Sequence, residues 1–227
     1  MNRHSAAGGS SRGDGGKRER ILEAAVKIFA EKGFYNAKVS DIARVAGVAD
    51  GTIYLYFQSK DDLLISLFED RMEEVNENMR SALAQGGSPV EKLRRALTMH
   101  LDLVQQHPQL AEVLTVELRQ STKFLKEYKQ SKFGEFLKLI AEPVEEGQQD
   151  GSIRRDIDAH VAARALFGAI DELTLAWLLR PRATSKRKGA IELASVANQL
   201  GMMFIDGMRG PAGGDAPASS DPNPKRR

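Results

Sequence analysis

Few side chains in this sequence are placed to do bond-making chemistry. Its 227 residues hold no cysteine and four histidines, His4, His100, His107 and His160. Thiolate zinc sites, disulfide frameworks and cysteine nucleophiles are therefore excluded. His100 and His107 stand seven apart without a third ligand at metal-motif spacing, so turn and surface positions account for them. There is no nucleophile elbow, no paired-carboxylate motif and no nucleotide loop. The glycines of AAGGSSRGDGG have no strand before them and no Gly-Lys-Ser/Thr after them. No enzyme is expected. What remains is recognition chemistry: between Val39 and Lys60, VSDIARVAGVADGTIYLYFQSK, hydroxyls and cations gather in one short stretch.

The spacing within that stretch dictates how it is held. Ile42, Ala43 and Ala46 give a short helix an apolar stripe, Gly47 breaks the period, and Ile53, Tyr54 and Phe57 restart it about ten residues on. Two short helices joined by a glycine turn follow, a helix-turn-helix. Ala43 permits a close crossing, Gly47 can take a positive φ, and Ile53 fills the gap between the helices. Lys17 to Lys32, with Ile21, Leu22, Ala25, Ile28 and Phe29 at helical spacing, forms a buttress that Gly33 ends. The next helix begins after Lys38, which cannot cap it, so Ser40 or Asn36 is expected to do so. The third helix is expected over about Asp50 to Phe57. A net charge of +2 describes an ordinary protein, yet residues 17–60 hold eight Lys or Arg against five acids, which supports phosphate contact.

Gly33-Phe34, then DIARVAGVADGTIYLYFQSKDDLL, resembles the DNA-binding domain of TetR-type transcriptional repressors, and GTIYLYF followed by a Ser-Lys opening a long helix is its most specific part. The likeness covers Arg18 to roughly Phe68. It implies an all-α homodimer on palindromic double-stranded operator DNA, with a helical ligand-binding domain behind the head. It further implies that Gly51 lets phosphates approach, that Thr52 offers a hydroxyl and a methyl to a base edge, that Tyr54 and Tyr56 donate to phosphate oxygens, and that Lys60 binds phosphate. Two positions depart from the pattern. Lys38 stands where relatives carry a capping hydroxyl, and Asp50 is awkward beside phosphate: it caps the third helix, accepts from a cytosine amine, or disfavours non-specific sites. The DNA-facing set is thus Lys38, Ser40, Asp50, Gly51, Thr52, Tyr54, Tyr56 and Lys60.

Composition divides the chain into a disordered arm (residues 1–16), the head (17–62), a helical ligand-binding and dimerisation domain (63–209) and a disordered tail (210–227), with about nine helices in all. Ser59-Lys60-Asp61-Asp62 forms a capping box that opens a helix running towards Gln85, the lever between head and domain. Pro89 opens the next, to about Gln106. Leu110, Val113, Leu114 and Leu118 follow, then helices over about Lys123–Gln149, Ala159–Leu179 and Ser185–Met208. No apolar run reaches the ~18 residues of a membrane span and no secretory core opens the chain, so a cytoplasmic protein without a membrane partner is expected.

Ala162, Ala165 and Ala169 beside Leu173, and Ala194, Ala197 and Gly201 beside Phe204, let helices approach closely. The resemblance implies that this pair meets its copy as a four-helix bundle, although an intrachain core explains the same pattern. VELRQS at 116–121, LFGAIDELTLAW at 166–177 and LLISLF at 63–68 resemble the TetR-type regulators of fatty-acid degradation that bind long-chain acyl-CoA. The implied effector is long-chain acyl-CoA, with no cofactor and no metal. Leu101, Leu114, Leu118, Phe133, Phe136, Phe167 and Trp177 are the expected apolar lining. Arg119 is the candidate for phosphate, and Asp171, if buried, needs Arg119 or Arg164 as partner. Two other functions fit the same sequence: a drug- or metabolite-sensing repressor of an efflux operon, and a ligand-independent DNA-binding protein.

Overall fold

The computed structural model describes residues 11–121, 123–124, 131–180 and 192–210, with the side chains of residues 11–14 and 131 excepted. The expected arm over residues 1–10, residues 185–191 of the expected last helix, and all but the first residue of the expected tail (211–227) lie outside the described residues. Among those described, the chain forms nine α-helices and no strand: α1 (Ser11–Asn36), α2 (Val39–Ala46), α3 (Asp50–Ile53), α4 (Lys60–Ala84), α5 (Pro89–Gln106), α6 (Pro108–Thr115), α7 (Ser131–Asp150), α8 (Ala159–Leu178) and α9 (Leu193–Leu200). A single 3-10 turn, Glu117–Gln120, follows α6. Wider π winding over Gly201–Ile205 and a 3-10 turn over Asp206–Met208 prolong α9.

The apolar stripe of α1 is buried as its spacing requires, with Ile21, Leu22, Ala25 and Phe29 fully covered. Helix α1 begins at Ser11, earlier than the boundary at Gly16. A side chain at Gly15 or Gly16 would meet nothing within 4 Å. Gly33, at φ 73° and ψ 158°, breaks the helix where a terminating glycine was expected. Gly47 caps α2 in the left-handed conformation, and Val48 N–H closes the turn on the Ala43 carbonyl at 3.0 Å.

The caps differ from expectation at three places. At α2 neither Ser40 nor Asn36 caps: Lys38 is the N-cap residue without a side-chain bond, and Asn36 Nδ2 donates to the Lys32 carbonyl. At α3 the cap is Ala49, and Asp50 lies inside the first turn rather than capping it. Helix α3 also ends at Ile53, four residues short. Tighter bonds continue from there, Leu55 N–H to Thr52 and Tyr56 N–H to Ile53, until Phe57 enters the core. At α4 the Ser59 hydroxyl accepts the Asp62 N–H at 3.1 Å, while the Asp62 carboxylate accepts from Gln58 N–H at 2.8 Å, one residue before the cap. Ser88 and Glu91 close a full capping box ahead of Pro89.

Helix α4 is the spine. It buries Leu63, Leu64, Leu67, Phe68, Met72 and Met79, and packs on α5 and α7. Helix α8 lies on α7, α9 lies on α5 and α8, and α1 rests on α2, α6 and the Glu117–Gln120 turn. Arg18 pairs with Asp70 and Arg71 with Glu19, so α1 and α4 are tied twice.

Candidate nucleic-acid interface and ligand cavity

The head exposes most of the expected DNA-facing set. Lys38, Ser40, Asp50, Gly51 and Tyr54 are exposed, while Thr52 and Tyr56 are half-buried. Leu55 and Tyr35, 82% and 69% exposed, join this surface without having been foreseen. Leu55 could have been found, because it falls between the core-facing Ile53 and Phe57 of the same turn. Arg44, on the exposed face of α2, donates to Asp41 at 3.0 Å, and Lys32 donates to the same carboxylate at 2.8 Å. Lys32, with Arg44 behind it, holds the Asp41 carboxyl below its ordinary range.

Lys60 is not where a phosphate ligand should be. Its ammonium donates to the carbonyls of Phe34 at 2.6 Å, Tyr35 at 3.2 Å and Ala37 at 3.1 Å, and lies 4.6 Å from the centre of the Phe34 ring. All three donors are used inside the protein. The phosphate role expected of Lys60 is therefore corrected: it staples the turn between α1 and α2.

Behind the head a cavity of about 730 Å³ lies among α1, α4, α5, α6, α7 and α8. Of the expected lining, Leu114, Leu118, Arg119, Phe133, Phe167 and Asp171 face it. Leu101 and Phe136 are buried behind the wall, Phe136 under the rings of Phe133 and Phe167, and Trp177 lies away from it against Arg180. Periodicity put all three on apolar faces, but it cannot separate a wall from the layer behind it. Phe68, Met72, Val75, Val104, Leu110 and Phe124 add to the apolar surface. Glu19, Glu23, Arg71 and Glu74 also line it, and Arg71 bonds Glu19 and Glu74. Arg119 pairs with Asp171 at 2.6 Å, whereas Arg164 is exposed. The His100 imidazole also lines the cavity. Burial pushes it down to about 4, against the opposing charge of Asp171, so it is neutral at pH 7.

The small-residue faces divide. Ala165 and Ala194 are exposed, and Ala169, Leu173, Ala197 and Phe204 are half-buried. Ala162 and Gly201 are covered within the chain, and a side chain at Gly201 would meet Arg94 Nη1 at 2.5 Å, so an intrachain contact accounts for their small size. Small residues at helical spacing marked two sides of each helix, and only burial separates them. Val161, Leu179, Met202 and Met203 add exposed apolar surface, between 58% and 70%. No described helix is long and apolar enough to cross a membrane.

A helix-turn-helix head joined by one long helix to a cavity-bearing helical domain is the architecture of a ligand-responsive DNA-binding regulator. The family model for bacterial regulatory proteins of the TetR family matches residues 21–67, and that for the C-terminal region of YsiA-like proteins matches residues 68–195. The chain belongs to the TetR family. It is 34% identical to the fatty acid metabolism regulator protein of Bacillus subtilis, over 83% of this chain and 94% of that protein. The structure of the fatty acid degradation regulator FadR of Bacillus halodurans is 33% identical, with a TM-score of 0.74 over 84% of this chain and 99% of that one. FadR of Bacillus subtilis in complex with stearoyl-CoA is 34% identical, with a TM-score of 0.75 over 84% and 98%.

The geometry separates the roles of two head cations. Arg44→Ala should lower the slope of log affinity against log salt by roughly 1, as loss of a phosphate contact does. Lys60→Met should weaken binding to every duplex while leaving that slope unchanged, because it disturbs the turn rather than a phosphate. Gel shifts over a salt series decide, and a lower slope for Lys60→Met would restore it as a phosphate ligand.

His100 generates a pH dependence. In the unfolded chain it takes up a proton near pH 6.5, whereas the folded chain refuses it until about 4. Its contribution is thus fully present above the unfolded value and is lost as pH falls through that window. The thermal midpoint of His100→Phe should fall less than that of the wild type between about pH 7 and pH 4.5. Equal falls would place the proton elsewhere.

Proposed function

We propose that this protein is a cytoplasmic homodimeric repressor whose operator affinity is lowered by long-chain acyl-CoA. The observation that carries this is the apolar cavity, together with the stearoyl-CoA held by a FadR of the same fold. Its volume lies within the roughly 300–1,000 Å³ of small-molecule sites. Each buried methylene contributes about 0.8 kcal/mol, so a dozen of them gain on the order of 10 kcal/mol before costs. The aliphatic and aromatic wall suits that chain. Arg119, 47% exposed, is the cation a phosphate can reach, and Arg71 is the more deeply covered one. Two heads on one dimer read two half-sites about 34 Å apart.

Adding stearoyl-CoA to the protein on an operator selected from random duplexes should lower affinity by about five- to 150-fold. Arg119→Ala should blunt this response more than the response to stearic acid. An operator affinity indifferent to stearoyl-CoA would remove the acyl-CoA reading.

The exposed Val161–Ala165 side of α8 and Met202–Met203 behind α9 support a dimer face of apolar and small residues. Ala165→Glu combined with Met203→Glu should yield monomers in sedimentation while helicity is kept. A dimer mass in that variant would move the interface elsewhere.

A further inference from the structure

Glu117 belongs to the ligand domain by sequence, yet its carboxyl serves the reading head. It is 8% exposed and accepts the backbone N–H of Phe34 at 2.6 Å. Gln120 Nε2 also donates to this carboxyl, at 2.9 Å. Gly33, with its positive φ, turns the Phe34 N–H out of α1 and towards this carboxyl, and Glu117 Oε2 lies 3.5 Å from where a Gly33 side chain would begin. The same short segment makes two further bonds across the boundary. The Tyr35 hydroxyl donates to the Gln120 carbonyl at 3.0 Å, and the Ser121 hydroxyl donates to Asp61, in the first turn of α4, at 2.6 Å.

The other side of this segment is the cavity wall. Leu118 and Arg119 line the cavity, as does Phe124, whose N–H donates to Ser121 Oγ at 3.1 Å. In a 3-10 turn successive side chains point about 120° apart, so one turn presents Glu117 to the head and its two neighbours to the cavity. Val116, at φ −103° and ψ −60°, is both the last cap of α6 and the first of the turn, and Ser121 leaves the turn in extended conformation.

We propose that residues 117–121 are the latch through which the cavity sets the reading head: Glu117 is a positioning residue for DNA recognition, and a ligand lodged against Leu118 and Arg119 displaces the turn and frees Phe34. The latch and the Lys60 staple hold opposite polarities of the same backbone, the carboxyl taking an N–H and the ammonium taking carbonyls. The head therefore depends on a group that moves with the cavity wall. This inference rests on the cavity being the effector site.

The test compares full-length wild type, Glu117→Ala and Glu117→Gln. Hydrogen exchange at Phe34 should be slow in the wild type, fast in Glu117→Ala, and intermediate in Glu117→Gln, whose amide oxygen still accepts. Saturating stearoyl-CoA should speed Phe34 exchange in the wild type and change it little in Glu117→Ala. The ratio of operator affinities without and with stearoyl-CoA should fall towards 1 in Glu117→Ala, while the variant still binds stearoyl-CoA in the absence of DNA. Partial recovery of the ratio in Glu117→Gln separates positioning from loss of fold. Equal Phe34 exchange in wild type and Glu117→Ala, or an undiminished ratio, overturns the latch. A wild type indifferent to stearoyl-CoA would remove the effector reading instead, and the ligand-free exchange comparison would still decide whether Glu117 holds Phe34.

Discussion

The backbone between α1 and α2 has to change direction without leaving its polar groups bare, and the architecture answers to that constraint. Gly33 breaks α1 near its end, and the carbonyls of Phe34, Tyr35 and Ala37 turn to the Lys60 ammonium. The Phe34 N–H turns the other way, to Glu117. A buried backbone group left unpaired costs about 1–3 kcal/mol, so neither charge is dispensable to the angle at which α2 and α3 leave the body. Both charges sit outside the three head helices, Lys60 at the start of α4 and Glu117 beyond α6. The head is thus not self-sufficient, and its geometry is set partly by helices that also wall the cavity.

That arrangement changes the part played by α4. Its apolar face is buried continuously from Leu63 to Met79, which makes it stiff, and the paired arginines Arg18 and Arg71 bind it to α1. A stiff helix tied at its head end transmits a displacement well but contributes little selectivity of its own. The cavity touches the head along a second route, through α6 and the Glu117–Gln120 turn, which pack directly on α1. Both routes end on the same short turn between α1 and α2, through Lys60 from α4 and Glu117 from the 3-10 turn.

Much of this was legible in the sequence, and the misses share a cause. Periodicity located the helices because burial follows spacing: Ile42, Ala43 and Ala46, or Leu63 and Leu67, could only face inward. Glycine and proline marked the boundaries at Gly47 and Pro89 for equally local reasons. Lys60, Gly201 and Glu117 went astray or unseen because their roles are set by partners 26, 107 and 83 residues away in the chain, respectively Phe34, Arg94 and Phe34. Side chains of either sign near a helix start all look solvent-bound in one dimension. The pairing of Asp171 with Arg119 was foreseeable only as a need, since a half-buried carboxylate requires a donor while its identity is a matter of packing.

The strength of these ties bears on what the molecule can do. An exposed ion pair contributes about 0–1 kcal/mol, and a hydrogen bond to a charged group about 1.5–3 kcal/mol. The polar bonds joining head to body include two part-exposed pairs, the three carbonyls held by Lys60, one buried carboxyl contact and two hydroxyl contacts. A ligand can shift such a joint only by as much as it prefers one arrangement over the other, typically about 1–3 kcal/mol. These directional bonds lie over a shared apolar core, since the buried residues of α1 to α3 form one cluster with those of α4 to α8. Each bond is comparable to the coupling energy, so a preference of that size suffices to break one while the apolar contacts beneath persist. The hinge of such a joint lies at the turn that faces both the cavity and Phe34.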